Sequence, residues 1–167
     1  MTNSPTGVAA VIGRPIHHSL SPVIHGAWLE AAGLKDQYIS LAPETPQAVW
    51  ELLDSETLLG CNVTAPYKEV AFDWARARGV VTGPEALATR SVNLVRLGDH
   101  PHAESTDGTG VLAAVREQAP DLDLATAAIV VLGAGGGGRG AVQAVKPAGV
   151  TEIRVDKGTR AGAQGVG

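Results

Sequence analysis

The chain is poor in sulfur and in aromatic rings. Its 167 residues hold one cysteine, one methionine and one phenylalanine, and the three aromatic types together make up 4%. With Cys61 alone an intrachain disulfide is excluded, and a cysteine-built metal site has no second ligand. His17, His18 and His25 have no carboxylate or further cysteine beside them at ligand spacing, so no metal is expected there either. Charge of one sign is scarce too: thirteen Lys plus Arg against seventeen Asp plus Glu leave −4, with no basic block to follow a phosphate backbone, which argues against nucleic acid as a partner. Nothing approaches the ~20 apolar residues of a membrane span. The amino end, MTNSPTGVAAVIG, lacks the basic head and long apolar run of a secretory leader. A cytoplasmic protein with no membrane partner is the expectation.

What is present is a globular composition, 44% hydrophobic and 18% charged, long enough for one good core or two small ones. Short apolar runs alternate with amphipathic ones. Residues 8–13 predict a strand, and Ser21 with Pro22 predict the cap and first residue of a helix over 22–32 that buries Val23, Ile24, Ala27, Trp28 and Ala31. Tyr38, Ile39 and Leu41 predict a second strand, and Thr45-Pro46 a helix carrying Val49, Trp50, Leu52 and Leu53. The spacing over 68–78 predicts a helix with Val70, Ala71, Trp74 and Ala77 on one face, stopped by Gly79. Such alternation favours a mainly parallel sheet.

Between the second and last of these helices lies GCNVTAPYK, residues 60–68. Leu58, Leu59, Cys61 and Val63 suit a short buried strand with Cys61 in the core, and Pro66 suits a first helical turn. Asn62, Thr64 and Lys68 then gather at the strand's carboxyl end, where open α/β sheets bind ligands because loops and helix amino ends line a crevice there. A plain strand, turn and helix with a solvated lysine accounts for this stretch better when it is taken by itself; the other motifs of the chain favour the ligand reading. After a short helix near Glu85, Val92 to Leu97, a Gly-Asp-His-Pro turn and a polar strand predict a hairpin-like excursion, and Asp107 begins a helix through Val111, Leu112 and Val115.

Residues 120–126 are polar enough to be a linker, and residues 127–132 are a β-branched run expected as a buried strand. That strand feeds GAGGGGRGAV. A glycine-rich turn between strand and helix lets backbone approach a pyrophosphate and aims helix N–H groups at it; a tight connection without a ligand is the alternative. Pro147 is expected to end the following helix early. The chain is therefore expected to divide into a mainly parallel α/β domain, residues 1–120, and a partial Rossmann-like dinucleotide-binding domain, residues 121–167, an order that matches the common oxidoreductase plan of a substrate domain followed by a nucleotide domain.

IGRPIHHSLSP, GCNVTAPYK, SVNLV, STDGTG and VVLGAGGGGRGAV occur in the order and context found in shikimate dehydrogenases, and from about residue 8 to about residue 159 the chain resembles that family. The resemblance implies reversible reduction of 3-dehydroshikimate to shikimate with NADPH, in the biosynthesis of chorismate and the aromatic amino acids, by a monomer or homodimer. It implies that Ser19 and Ser21 hold the substrate carboxylate, that Thr64, Asn93 and Asp107 meet the ring hydroxyls, and that Lys68 is the catalytic lysine with Asp107 its partner. It assigns Gly133, Ala134, Gly135, Gly136 and Gly137 to the phosphate-binding turn, and leaves His18 and His25 to shape the pocket. The chemistry suits these types: moving hydride at a carbinol carbon requires a proton to leave or join the oxygen, and one side chain such as Lys68 serves as both base and acid. A simple stabilising ion pair is the other reading of Lys68 and Asp107.

The chain also departs from the family pattern. Leu94 and Ser105 replace a threonine and an asparagine, and where the family reads the 2′-phosphate with Asn-Arg-Thr this chain has Lys157, Gly158 and Thr159. Asp156 resembles the acid that holds an NAD ribose, which makes NAD the alternative cofactor. Family members are longer, so only the first half of a nucleotide domain is expected here, with a fraying glycine-dotted tail. An NAD-using quinate or shikimate dehydrogenase and a noncatalytic substrate-binding fragment are the competing readings.

Overall fold

The computed structural model describes residues 7–156. Lys157, Gly158, Thr159 and the tail lie outside the described residues. The chain forms two compact units, residues 1–104 and 105–167.

The first unit is built on a five-stranded sheet of order β2-β1-β3-β4-β5. Its strands are β1 (Val8–Ile12), β2 (Gln37–Leu41), β3 (Gly60–Val63), β4 (Leu94–Arg96) and β5 (His102–Glu104). β1 pairs in parallel with β2 and β3, through the crossover helices α1 (Ser21–Ala31) and α2 (Pro46–Asp54). β3, β4 and β5 pair antiparallel, as the expected hairpin requires. α3 (Lys68–Ala77) and α4 (Pro84–Thr89) complete the unit.

Strand alternation sorts the residues. Ala10 and Ile12 of β1, Cys61 and Val63 of β3 and Val95 of β4 face a core shared with Val49 and Leu53 of α2 and Ala71, Phe72, Trp74 and Ala75 of α3. The α3 stripe thus contains Phe72 and Ala75, while the expected Ala77 is exposed, because the helix is turned by about one residue from the face read in the sequence. Pro66 does not open that helix: it stands in the turn before it, with a cis Ala65–Pro66 bond, and α3 starts at Lys68. Gly79 ends α3 with φ +68°, where a side chain would be strained.

α1 forms where expected, but its apolar stripe is not buried. None of its residues is buried, and Val23 and Trp28 remain 70% and 63% exposed. α2 and α3 occupy the opposite sheet face, and α1 packs chiefly against β2, so among the described residues of the unit its outer stripe has no covering element. The same uncovered side leaves an apolar groove of about 550 Å³ over Ala9, Gly60 and Leu94. Ser21 is not the cap either: it is the first residue of α1, Leu20 precedes it, and Ser19 Oγ accepts the Ser21 backbone N–H at 3.3 Å.

The second unit holds α5 (Asp107–Gln118), β6 (Ala128–Leu132), α6 (Gly136–Val145) and β7 (Glu152–Asp156). β6 and β7 pair in parallel from Ala128 opposite Glu152 to Leu132 opposite Asp156. A short 3-10 turn containing Pro147 ends α6, as its missing N–H demands. β6 is a strand but not a buried one: Val130 and Leu132 are 60% and 82% exposed. With one neighbouring strand and one packed helix, alternate residues of a two-stranded sheet lack a partner layer. α5 groups with this unit by packing, since it crosses α6 at Gly108 and Gly140; a Cβ on Gly108 would run into the Gly140 carbonyl oxygen. The packing division thus precedes α5, whereas the linker composition puts a boundary after it.

Candidate active site

The site is assembled at the carboxyl ends of β1 and β3. After β1 the chain turns at Gly13, and the buried Ile16 side chain anchors the loop, whose Ile16 carbonyl accepts Ser19 N–H at 3.0 Å. That loop delivers His18, Ser19 and Ser21 to the end of the sheet. β3 ends one residue before Thr64, whose N–H continues the ladder to Ile12 O at 2.8 Å. The next turn closes through Tyr67 N–H to Thr64 O at 2.9 Å, and the Tyr67 hydroxyl is tied to Pro43 O at 2.6 Å, so Lys68 begins α3 in a fixed place. The segment before β4 is docked on this corner from both sides: Val92 N–H reaches Lys68 O at 3.0 Å, and Val63 N–H reaches Asn93 O at 2.9 Å.

Ser19, Ser21, Thr64, Lys68 and Asn93 consequently line one cavity of about 350 Å³, together with His18, His25 and Asn62. Two hydroxyls, a third hydroxyl, two carboxamides and an ammonium converge there, a donor-rich set suited to a small anion bearing hydroxyl groups. Asp107 and the glycine turn belong to the second unit. Asp107 is the first residue of α5.

One contributor has no role in the sequence pattern: Tyr38 is expected only as a strand residue, whereas Asn62 is expected beside Thr64 and Lys68 at the strand end where such sheets bind ligands. The Tyr38 hydroxyl donates to Asn62 Oδ1 at 2.6 Å, and its ring stacks on His25 at 4.1 Å between centroids and 4° between planes. Burial pushes the Tyr38 phenol up to about 12, with the Cys61 thiol adding to the rise and a hydrogen bond with Ser21 opposing it. The signal available in the sequence was weak: a tyrosine at an alternate position of a strand next to the motif-bearing ones.

In the second unit the turn after β6 has Gly133 at φ +103°, and Gly133 N–H donates to Asp156 O at 2.7 Å. Gly138 packs so closely under it that a Cβ would run into the Gly133 carbonyl oxygen. No side chain caps α6, whose first residues are Gly136 and Gly137, so its leading N–H groups suit a phosphate of a dinucleotide.

The fold and these two features describe an α/β protein with a polar cavity at strand ends, followed by a strand, a glycine-rich turn and a helix. Residues 11–95 match the family model described as the shikimate dehydrogenase substrate binding domain. The chain belongs to that family. It is 42% identical to the shikimate dehydrogenase (NADP(+)) of Caulobacter vibrioides over 98% of its own length and 59% of the relative's. It also resembles the crystal structure of shikimate 5-dehydrogenase from Thermus thermophilus in complex with shikimate, with a TM-score of 0.76, 32% identity, and coverage of 90% of this chain and 56% of that one. The same enzyme in complex with NADP(H) and shikimate gives a TM-score of 0.71 at 34% identity, over 90% and 55% of the two chains. The chain thus spans a little over half the length of the relatives it matches. No helix among the described residues is long and apolar enough to cross a membrane.

Proposed function

We propose that this chain carries the substrate site and the phosphate-binding turn of an NADP-dependent shikimate dehydrogenase, which interconverts 3-dehydroshikimate and shikimate. The observation that carries the reading is the single cavity shared by Ser19, Ser21, Thr64, Lys68 and Asn93. Ser19 and Ser21, two apart on the β1 loop, donate to the substrate carboxylate, and Thr64 and Asn93 orient the ring hydroxyls. Lys68 gives a proton to the carbonyl oxygen in reduction and removes it from the hydroxyl in oxidation. Asp107 is its proposed partner and a further contact to the ring hydroxyls. The bound dinucleotide supplies or accepts the hydride, and Gly133 to Gly137 hold its pyrophosphate through backbone N–H groups. Functionally, residues 1–120 serve the substrate and residues 121–167 the cofactor.

NAD is the second reading for the cofactor. Asp156 closes β7 level with the glycine turn, joined to it by the Gly133 N–H, and an acid at the end of the second strand suits an unphosphorylated ribose.

The substrate reading is tested by titrating shikimate into the wild-type chain and into the Ser19→Ala/Ser21→Ala double variant in a calorimeter. Loss of hydrogen bonds to a charged group should weaken binding by roughly 1 to 3 kcal/mol, about 5-fold to 150-fold. Equal affinity in the two proteins removes the serines from the carboxylate site.

A further inference from the structure

Tyr38 and Asn62 stand on strands that flank β1 and never pair with each other. The register makes their meeting possible. Tyr38 lies opposite Ala9, and Asn62 lies opposite Val11, so the tyrosine side chain reaches the carboxamide diagonally across β1. The contact is a hydrogen bond of 2.6 Å from the hydroxyl to Asn62 Oδ1, while Asn62 Nδ2 donates to Asn93 O at 3.4 Å. A carboxamide has one acceptor oxygen and two N–H donors. The Asn93 carbonyl can only accept, so it selects the nitrogen end of Asn62, and the tyrosine proton then selects the oxygen end. One N–H is left over, on a residue that lines the ligand cavity. The phenol has a single proton, which goes to Asn62. His25, stacked flat on the ring, holds it against rotation.

We infer that Tyr38 is a positioning residue: through its hydroxyl it locks the Asn62 carboxamide with an N–H toward the ligand. The inference rests on the proposed substrate reading for the identity of the ligand, an oxygen-rich anion for which an inward N–H is favourable and an inward carbonyl oxygen repulsive. Without the phenol proton, the carboxamide keeps only its longer bond to Asn93 and can turn its oxygen inward.

The test is a double-mutant cycle on the full chain with shikimate as the probe. Tyr38→Phe keeps the ring and its stacking on His25 and removes only the hydroxyl. It should raise the shikimate Kd roughly 3-fold to 10-fold, the range of one neutral hydrogen bond. In an Asn62→Ala background the same change should raise Kd less than 2-fold, since the group being positioned is gone. An equal loss in both backgrounds, or no loss in either, overturns the positioning role. Side-chain amide resonances of Asn62 in the ligand-free protein provide a readout that needs no substrate: Tyr38→Phe should increase their mobility and collapse their shift from the random-coil position. An amide that stays ordered in Tyr38→Phe overturns the inference even if shikimate binds. Wild-type protein that does not bind shikimate, with an amide that loosens in Tyr38→Phe, supports the positioning role and refutes the substrate reading instead.

Discussion

Replacing Gly13 by alanine should damage the stability of the first unit and its ligand cavity together. The Gly13 backbone lies outside the positive-φ region, so the obstacle to a side chain is space. A Cβ at this position would run into Thr64 Cγ2, and would lie 3.0 Å from Ile16 Cδ1 and 3.2 Å from the Ala65 carbonyl oxygen. The side-chain contacts are relieved only by moving Thr64 and the buried Ile16, and the carbonyl is held in place. Ala65 O accepts Arg14 N–H at 3.1 Å, Gly13 N–H is held by Leu41 O at 3.2 Å, and Thr64 N–H is held by Ile12 O at 2.8 Å. Forcing one extra methyl into such a place costs about 1 to 3 kcal/mol. At roughly 4 to 8 °C per kcal/mol for a domain of this size, Tm should fall by about 5 to 20 °C. Thr64 is the side chain that must move, so shikimate affinity should also drop, by roughly 3-fold to 10-fold for one disturbed hydrogen bond. Gly26→Ala is the control. Nothing lies within 4 Å of its Cβ position, and it sits inside α1, where alanine is favoured by about 0.5 to 1 kcal/mol. Thermal denaturation followed by circular dichroism, with calorimetric titration of shikimate, reads both effects. If Gly13→Ala melts with the wild type and binds as tightly, the packing argument is wrong; if Gly26→Ala falls as far, the loss is not specific to the Thr64 contact.

Two further outcomes follow from other parts of the molecule. Lys68→Ala should lower turnover by about 100-fold to 10,000-fold, in a form that carries a whole nucleotide domain, while shikimate binding changes much less; near-normal turnover would show that Lys68 is not the proton carrier. Trp74 Nε1 donates to Asp54 at 2.9 Å, and this bond, helped by Arg78, holds the Asp54 carboxyl below its ordinary 3.8 against the opposing effect of burial. A folded-state pKa below the unfolded one gives stability that is present above pH 3.8 and lost as pH falls through the folded value. Melting curves from pH 6 down to pH 2.5 should therefore show a smaller acid-side loss in Asp54→Asn than in the wild type, and equal losses would exclude Asp54 as a contributor.

The sequence by itself determined the order of strands and helices, because that order follows from local periodicity, from Pro and Gly at element ends, and from the polar turns between. It also determined which residue types gather at the strand ends. Asn62, Thr64 and Lys68 were legible because they stand at the carboxyl end of a predicted strand, where α/β sheets form their crevice, whereas Ser19, Ser21 and Asn93 were legible only through the resemblance to the family. Asp107 was legible as a helix start, which says where the residue is in the chain and nothing about its distance from Lys68.

Only the tertiary structure decided what covers what. The spacing of Val23, Trp28 and Ala31 reports an apolar stripe on α1, but burial needs a partner layer, and the layer of α2 and α3 lies across the sheet. The alternation in β6 likewise made a strand without supplying the neighbours that would bury Val130 and Leu132. The bond from Tyr38 to Asn62 spans 24 residues and a whole intervening strand. It depends on Tyr38 falling opposite Ala9 and Asn62 opposite Val11, a matter of register between strands, and register is set by pairing across the sheet rather than by any local run of sequence.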